Sequence, residues 1–422
     1  MPERTETAMT QLVGSYNLRI YLPDLERNLI IDPNSLRNFV VSQSLTSFLP
    51  SLRMIIPSAG EEYIHVVPLD KTNRISIDIG FDTDIYEGGN SFDFLTYRRF
   101  PRSHETLLDI EALLDVRNLF DKRHIRGFSG TIHDTIENIS KELKLFSATI
   151  ADGQRSVKPI ISDSLRYEKN IIQTNQTNAE LLSYLRRNVE GKNGEGAYYC
   201  FLYNRGGNTY FAFRSMEDMM QEPIKHYLCY GTSAMPKTEE DKSVVVYNPV
   251  WSYEIVDDVK LEGVEGLGGS IYHYFDYKNG EIKENTIDLQ DMYSLTYLFS
   301  VMRGSSKSKN RSLLGRSNDF NATFRGVAKS GYYKKLMNLE KIRVNTYAML
   351  NAVPGDLVRF VFAQPIAPED QMDFQYQGTW MIESLHHSIG MMITTTLTLI
   401  RSGVDANPRN SSLIPATRRK HE

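Results

Sequence analysis

Cysteine is scarce in this sequence: only Cys200 and Cys229 occur among its 422 residues. Two cysteines exclude a disulfide framework and a cysteine-based zinc site, and their scarcity is typical of a protein made in a reducing cytoplasm. Both lie close to tyrosines in the sequence, so we expect each thiol to be a small buried hydrophobe rather than a nucleophile.

Long apolar runs and a strong net charge are also missing. No run approaches the roughly 18 residues that span a bilayer, and the N-terminus is polar, without the apolar stretch of a signal peptide. The net charge of -4 creates no general attraction to nucleic acid or to an anionic membrane. We therefore expect no membrane partner and no specific nucleic-acid binding.

Motifs that carry catalysis are absent from the sequence. It contains no P-loop, no G-x-S-x-G elbow and no H-E-x-x-H helix. The run Gly266–Gly269 resembles a dinucleotide-binding turn, but Ile271 stands where a third glycine is required, which favours a loop or bulge. Asp82 and Asp84 have no further ligands to complete a cation site, so solvated loop carboxylates are expected.

Asp109, Glu111 and Asp115 form the one carboxylate cluster that invites an enzymatic interpretation. Paired carboxylates cleave glycosidic bonds, but spacing along the sequence does not establish such a pair. The same residues fit the exposed side of a helix that begins at about Leu107 and buries Ile110 with its apolar neighbours. We therefore predict an exposed helix face.

The only adjacent histidines are His386 and His387. Neighbouring side chains of a strand point to opposite faces, so the two imidazoles cannot both hold one ion. We expect one histidine in the core and the other at the surface. No candidate for chemistry is left, and we predict no catalytic residue, no cofactor and no metal site.

The composition is typical of a folded protein with several domains. Hydrophobic residues make up 41% of the chain and charged residues 24%, and tyrosine and phenylalanine are plentiful. A single core rarely extends beyond roughly 250 residues. The length of 422 residues therefore predicts two to four compact units.

The first part of the chain, from about Tyr16 to Tyr97, has the pattern of short strands separated by turns. Ile75, Ile77 and Ile79 alternate with smaller or polar residues, as in a strand that is buried on one face. Many short strands with closely spaced turns favour an antiparallel barrel or sandwich.

The middle of the chain has a mixed α+β pattern. Thr131 with Asp134, and Thr177 with Glu180, are capping pairs ahead of apolar residues at helical spacing, and they predict two amphipathic helices. Two aromatic strands follow, joined by a glycine-containing turn at residues 204–207.

Strand patterns return beyond about Ser243. Strands are predicted at residues 271–277, 356–362, 378–388 and 393–400. Met292–Met302 is predicted to be a helix, whereas residues 304–317 are rich in serine, lysine, arginine and asparagine and predict a mobile loop. The C-terminal tail is predicted to be flexible.

Arg98, Arg99 and Arg102, close to Tyr97 and Phe100, form the one basic and aromatic cluster. Such residues bind nucleic acid or a protein partner. One short cluster without a nucleic-acid-binding fold favours a protein interface, so these three arginines are the candidate interface residues.

Three stretches carry a resemblance to a known family. They are Asn170–Asn178, the acidic and methionine-rich turn Met216–Pro223, and the segment from Gly331 to Gly403, which includes Pro354-Gly355-Asp356 and a closing threonine-rich strand. Together they resemble the baseplate central hub protein of contractile-tailed bacteriophages, which is related to the hub part of type VI secretion spike proteins. The resemblance extends over about residues 12 to 403.

The resemblance implies a mainly β fold with an α+β insertion: two antiparallel β-barrel domains and a smaller helix-containing α+β domain. The first barrel would comprise residues 12–106 and the α+β domain residues 107–240. The second barrel would comprise residues 241–403, including the mobile loop at about 304–317, and residues 404–422 would form a flexible tail.

Hubs of this kind are ring-shaped homotrimers whose six barrels match the six-fold tail tube and whose other end seats the three-fold central spike. The resemblance implies, as partners, the tail tube or tube-initiator protein, the spike, and the C-terminus of the tape measure in the lumen. It implies a place in the virion baseplate, after assembly in the host cytoplasm. No spike-like or lysozyme-like domain follows Arg401, so the spike is expected to be a separate chain.

Two alternatives stay open from the sequence. A tail-associated cell-wall hydrolase would need a cleft with a perturbed carboxylate pair or a metal. A host-glycan-binding tail protein would use exposed aromatic strands and would bind glycan without forming a ring.

Overall fold

The computed structural model describes most of the chain in separate segments. They are residues 16–22, 27–29, 38–57, 74–81, 90–102, 107–146, 154–162, 170–189, 197–231, 247–258, 269–276, 279–288, 310–317, 334, 337–362, 376–390 and 392–402. The chain is mainly β in these segments. None of their helices has the length and apolar character needed to cross a bilayer.

The secondary-structure elements follow in chain order. The strands before the first helix are β1 (Tyr16–Leu22), β2 (Arg27–Leu29), β3 (Asn38–Ser44), β4 (Ser51–Pro57), β5 (Arg74–Phe81), β6 (Asn90–Arg102), β7 (Leu107–Leu114), β8 (Val116–Arg117) and β9 (Arg123–Phe128). The middle elements are α1 (Ile132–Glu142), β10 (Lys144–Phe146), β11 (Gln154–Ser156), β12 (Lys158–Ile161), β13 (Ile171–Thr177), α2 (Asn178–Asn188), β14 (Tyr198–Arg205), β15 (Asn208–Ser215) and α3 (Met216–Met220). The last elements are β16 (Ile224–Tyr230), β17 (Asn248–Asp258), β18 (Gly269–Asp276), β19 (Glu281–Asp288), β20 (Asn310–Ser317), β21 (Glu340–Tyr347), β22 (Leu357–Phe362), β23 (Gly378–Ile389) and β24 (Ile393–Arg401).

The N-terminal strands form one half of a large sheet, in the order β2-β1-β5-β6-β7-β4-β3. The strand predicted from the alternating isoleucines is confirmed as β5, because Ile75, Ile77 and Ile79 are all buried. Phe92 and Phe94 of the neighbouring β6 join the same core, with ring centroids 5.5 Å apart. Burial of each such side chain stabilises the fold by roughly 1.5–3 kcal/mol. We refer to these strands as the first sheet.

The helix predicted from about Leu107 is wrong, because this segment is strand β7. Ile110, Ala112 and Leu114 are buried at every second position, while Leu113 is 36% exposed. A short apolar run fits the period of a helix and that of a strand equally well. The backbone hydrogen bonds that β4 and β6 offer on its two sides decide in favour of the strand.

The other half of the large sheet closes into a six-stranded barrel. Its order is β16-β17-β21-β24-β23-β22, and β22 pairs back to β16. The prediction of an antiparallel barrel is wrong for β16, which runs parallel to both of its neighbours, β17 and β22. The strands predicted near the C-terminus are thereby confirmed as β22, β23 and β24. Trp380 is fully buried in the barrel, in one core with Phe360 and Leu397.

Strand β23 belongs to both halves of the large sheet. Its first residues pair with β22, and beyond a register shift between Ile382 and Ser384 it pairs with β3. Strand β24 pairs with its other edge from Met381 to Ile389. The barrel and the first sheet are therefore hydrogen-bonded into one continuous sheet, and we call Ser384–Ser388, where β3 and β24 flank β23, the seam.

The two helices predicted in the middle of the chain are confirmed as α1 and α2. The Thr131 hydroxyl accepts a hydrogen bond from the Asp134 N–H at 3.1 Å, and the Asp134 carboxylate accepts one from the Thr131 N–H at 2.9 Å. Thr177 and Glu180 form the same reciprocal capping box. Both helices pack on the aromatic hairpin β14–β15, which is also confirmed and has a positive φ at both turn glycines.

A small sheet in the order β19-β18-β20 completes the described chain. The predicted hairpin turn is confirmed at Asn279-Gly280, where Gly280 has a φ of 68°. The predicted mobile loop is wrong for residues 310–317, which form β20 and pair in parallel with β18. Ladder hydrogen bonds join backbone groups, so a polar run can be a strand.

Several other predictions lie outside the described residues. They are the helix at Met292–Met302, the loop carboxylates Asp82 and Asp84, residues 266–268 of the glycine run, residues 304–309 of the loop, and the tail 404–422. The domain boundaries at residues 106, 240 and 403 also stay predictions.

Candidate protein-interaction site

The predicted interface arginines lie near the end of β6. Across the ladder, Arg98 is opposite Glu111 of β7 and Arg99 is opposite Ile110, while Arg102 is opposite Leu107 at the last pair. Their role as an interface stays a prediction.

Two of the predicted carboxylates, Asp109 in β7 and Asp115 directly after it, form ion pairs with arginines. Asp109 and Asp115 are 3% and 6% exposed, so the predicted exposed helix face is wrong for them. Arg53 Nη2 lies 3.3 Å from Asp109 Oδ2, and Arg74 Nε lies 3.1 Å from Asp115 Oδ2. Asp115 directly follows β7 and lies six positions from Asp109, which along a strand is roughly 20 Å. That separation excludes Asp109 and Asp115 as a glycosidase pair, whose carboxylates lie roughly 5–9.5 Å apart.

Both cysteines are buried, as predicted. Burial raises the pKa of the Cys229 thiol to about 11 and raises that of Cys200 as well. Both therefore stay protonated at neutral pH and pack as small apolar side chains. Within the described residues, no three histidine, cysteine or carboxylate side chains form a group that could hold a metal ion.

The two histidines lie in the seam, and the prediction of one buried and one surface side chain is confirmed. His387 is fully buried, whereas His386 is exposed and its Nδ1 lies 2.7 Å from the Ser42 hydroxyl of β3. Behind them, the Met349 N–H donates to Thr395 Oγ1 at 3.0 Å, and that oxygen lies 3.0 Å from His387 Nδ1. The second lone pair of Thr395 Oγ1 can accept a hydrogen bond from His387 Nδ1–H, which leaves Nε2 of the neutral imidazole without a hydrogen.

The Nε2 atom of His387 is buried and has no hydrogen-bond partner among the described residues. Burial, together with the neighbouring His386, lowers the pKa of His387 to about 4. A charged imidazole would need an acceptor for each of its two N–H groups, and the seam offers none to Nε2. The seam is therefore built around a neutral histidine.

A second polar centre joins the α+β hairpin to the barrel at Asp356. This residue is 2% exposed and belongs to the turn Pro354-Gly355-Asp356 that precedes β22. Its carboxylate accepts hydrogen bonds from Lys225 Nζ at 2.8 Å, from His226 Nε2 at 3.1 Å and from Arg205 Nη2. Burial by itself raises the pKa of Asp356, but the His226 hydrogen bond and the charges of Arg205 and Lys225 outweigh it and hold the pKa below its ordinary value.

Two of the stretches that carry the family resemblance meet at this centre. Gly355 has a φ of +88°, and a Cβ there would lie 2.6 Å from the Sδ of Met219 in α3. The turn thus needs glycine for its backbone conformation and for the close approach of the methionine-rich helix. Sequence reasoning missed Arg205, Lys225 and His226, because they lie 130 to 151 positions from Asp356 and show no local pattern.

The third of these stretches forms β13, which pairs with β9 in a two-stranded ribbon. On its inner face, Arg126 donates to Gln173 Oε1 at 2.8 Å, to Asn178 Oδ1 at 2.9 Å and to Glu142 Oε1 at 2.6 Å. This network connects the ribbon to both α1 and α2. Charge-assisted hydrogen bonds of this kind fix geometry strongly, so the ribbon is held in one orientation.

The outer face of the ribbon exposes two isoleucines. Ile125 is 82% exposed and Ile172 is 68% exposed, and the ladder places Thr174 opposite Ile125 and Gly127 opposite Ile172. Large apolar side chains on a rigid, outward-facing ribbon are typical of contact sites. We call Ile125 and Ile172 the ribbon patch.

Comparison with known proteins gives a fold but no family by sequence. No protein-family model matches the chain, and no curated protein matches it in sequence. The 43 kDa tail protein of prophage MuSo2 from Shewanella oneidensis aligns at a TM-score of 0.53 and 10% identity, over 93% of this chain and 99% of that one. A tail protein from Neisseria meningitidis MC58 aligns at 0.52 and 10% identity, over 93% and 98%.

The chain has the fold of phage tail proteins. A component of the Escherichia coli type VI secretion system, described as similar to bacteriophage T4 tail proteins, aligns more weakly, with a TM-score of 0.47 at 11% identity over 94% of this chain and 80% of that one. The resemblance to phage tail proteins is confirmed at the level of fold by the two tail proteins with TM-scores above 0.5.

Proposed function

We propose that this protein is the central hub of a contractile phage tail baseplate: a non-enzymatic, ring-shaped homotrimer that adapts the six-fold tail tube to the three-fold central spike. The observation that carries the proposal is the likeness of nearly the whole chain to two tail proteins of almost the same length. Because the likeness extends over nearly the whole chain and not over a single module, it supports a similar place in the tail for this protein.

The architecture proposed for each protomer is two barrels and a smaller α+β domain. The six-stranded barrel, which is antiparallel apart from the two pairings of β16, would be one of them, and the first sheet would belong to the other. Three protomers would then present six barrels to the tail tube. Their interfaces would be heterologous, which permits a closed three-fold ring.

The proposed partners are the tail tube or tube-initiator protein, a separate spike protein, and the C-terminus of the tape measure in the lumen. The rigid ribbon patch and the arginines of β6 are the proposed contact surfaces. Assembly would take place in the host cytoplasm, and the protein would be part of the virion.

Mass photometry of the full chain tests the proposal. We expect a particle of about 145 kDa, three times the protomer mass of 48.4 kDa, either alone or when co-expressed with its tail tube and spike partners. A particle that stays at the protomer mass in every combination would refute the hub. Clearing of purified peptidoglycan by the protein would refute the non-enzymatic assignment.

A further inference from the structure

A β-bulge in β17 places two consecutive side chains on the outer face of the barrel. On this strand, Val250 pairs with Thr346 of β21. The next pair joins Ser252 to Asn345, and Trp251 is the extra residue between the two pairs. Neighbouring side chains of a regular strand point to opposite faces, and a bulge suspends this alternation. Bulges are common next to functional sites, where they redirect a side chain.

The contacts of Trp251 and Ser252 show that both face outwards. The centroid of the Trp251 ring system lies 4.9 Å from that of Tyr347, with 63° between the ring planes. Ser252 Oγ accepts a hydrogen bond from Asn345 Nδ2 at 2.9 Å. Tyr347 and Asn345 share one face of β21, and Thr346 between them is fully buried, so theirs is the outer face. We call Trp251, Ser252, Asn345 and Tyr347 the aromatic corner.

A directed chain of hydrogen bonds ends in the aromatic corner. Thr396 Oγ1 of β24 donates to Asn345 Oδ1 at 2.7 Å, and Asn345 Nδ2 donates in turn to Ser252 Oγ. An amide oxygen only accepts and an amide nitrogen only donates, so the roles of both hydroxyl groups are fixed. The Ser252 hydroxyl therefore keeps its own proton for a ligand, on the face that it shares with Trp251. Hydrogen bonds in such a chain strengthen one another.

The charges next to the aromatic corner are paired with each other. Glu254 and Arg343 form the next pair of the β17–β21 ladder on the outer face, and Arg343 Nη1 donates to Glu254 Oε2 at 2.7 Å. The Glu254 side chain is 63% exposed, so its carboxylate can accept a further hydrogen bond from a ligand. An anionic ligand would meet a cation that is already neutralised, whereas a neutral ligand with hydroxyl groups is matched.

We propose that the aromatic corner is a binding site for a neutral saccharide. Trp251 is 44% exposed, and the electron-rich face of its ring system attracts the C–H groups on the apolar face of a pyranose ring. The hydroxyl groups of the sugar accept the Ser252 proton and donate to the Glu254 carboxylate. Saccharide binding goes beyond the proposed hub function and is argued from the aromatic corner alone.

The surroundings of the aromatic corner favour a saccharide over a protein segment. The centre of a protein interface is mostly apolar. Here the two rings lie among hydroxyl and amide groups, since Tyr347 is opposite Thr394 and Asn345 is opposite Thr396. Sugar hydroxyl groups both donate and accept, as these side chains do. The tyrosines of β14, in contrast, are buried and offer no such surface.

The intrinsic fluorescence of the full chain tests the site. Trp251 and Trp380 are its two tryptophans, and Trp380 is fully buried, so quenching by acrylamide reports on Trp251. The chain is titrated with maltotriose and with tri-N-acetylchitotriose, two neutral saccharides. We expect saccharide binding to protect Trp251 from the quencher. No protection by either saccharide at millimolar concentration would overturn the proposal.

Substitutions show whether the saccharide occupies the aromatic corner. In isothermal titrations, Trp251→Ala should weaken binding by at least about tenfold and Ser252→Ala by about threefold. Tyr184→Ala is the matched control, because Tyr184 of α2 is an aromatic residue with a similar exposure of 47%, and it should bind like the parent. Parent-like affinity in Trp251→Ala would overturn the assignment. Should Trp251→Ala fail to fold, parent-like affinity in Ser252→Ala, which removes only one hydroxyl, would overturn it instead.

Mass photometry separates a saccharide site from a contact with another protein. A Trp251→Ala variant that binds saccharide like the parent but forms a smaller assembled particle would assign the aromatic corner to a protein contact. The saccharide titrations use the chain by itself and do not depend on trimer formation. Failure of the saccharide site and failure of the proposed hub function are therefore distinguishable.

Discussion

The neutral histidine of the seam makes the stability of this protein dependent on pH. In the unfolded chain His387 has a pKa of about 6.5, and in the folded protein burial and the neighbouring His386 lower its pKa to about 4. Between these values the unfolded state binds a proton that the folded state does not. The stability contributed by the neutral imidazole is therefore complete above pH 6.5 and is lost as the pH falls towards about 4.

The size of this effect follows from the two pKa values. A difference of one pKa unit corresponds to about 1.4 kcal/mol, so the fall from 6.5 to about 4 corresponds to roughly 3 kcal/mol of lost unfolding free energy. This is a large part of the roughly 5–15 kcal/mol that stabilises a typical domain. The pKa of His386 is lowered too, by partial desolvation and the Arg343 charge, and it adds in the same direction.

The replacement His387→Gln removes the titrating group and keeps a polar side chain of similar length. Urea unfolding of the parent and the variant is followed at a series of pH values from above 6.5 down to about 4. We expect the variant to lose about 1–2 kcal/mol at neutral pH through poorer packing. As the pH falls, the unfolding free energy of the variant should decrease less steeply than that of the parent. The difference between the two slopes should correspond to nearly one proton bound on unfolding.

The exposed neighbour provides the matched control. His386→Gln should change the acid dependence less than His387→Gln, because its ring is exposed and bonded to Ser42. Parallel curves for the parent and for His387→Gln over this range would show that His387 is protonated in the folded protein, and the account of the seam would be wrong.

Three further predictions follow from the other sites. Asp356→Asn should lower the unfolding free energy by about 2–4 kcal/mol in urea titrations, because it leaves the charged Arg205 and Lys225 around a neutral amide; a loss below about 1 kcal/mol would contradict the role given to Asp356. Gly355→Ala should lower the unfolding free energy by about 1–3 kcal/mol. The loss should be larger than for Gly280→Ala, because φ is positive at both glycines but no atom lies within 4 Å of a Cβ at Gly280. Aspartates in place of both isoleucines of the ribbon patch should leave the melting temperature unchanged and lower the mass of the assembled particle, whereas Ile282→Asp, on an equally exposed isoleucine of β19, should leave both unchanged.

Elements with a strong local signal could be predicted from the sequence. The capping boxes of α1 and α2 and the alternation in β5 involve residues only a few positions apart. The interactions that form these elements can therefore be recognised within a short stretch of sequence. Strand β7 could not be predicted, because its apolar run satisfies both periods and only pairing with β4 and β6 decides.

The polar centres were visible only in part. The alternation of side chains along a strand predicts that His386 and His387 point to opposite faces, but which one is buried depends on β3, since Ser42 lies 344 positions from His386. The partners of Asp356 are equally distant, and no local pattern connects them. Interactions of this kind are set by topology, which composition and spacing do not determine.

The shared strand β23 has a mechanical consequence. At the seam the barrel and the first sheet are connected by a strand with a ladder on each edge, and a rotation of one part against the other would have to bend that strand or break backbone hydrogen bonds. A ladder of backbone hydrogen bonds that are loaded together resists such a rotation far better than a single flexible linker does. In the proposed hub, a force applied to the barrel would therefore be transmitted to the first sheet with little movement of the two parts relative to each other.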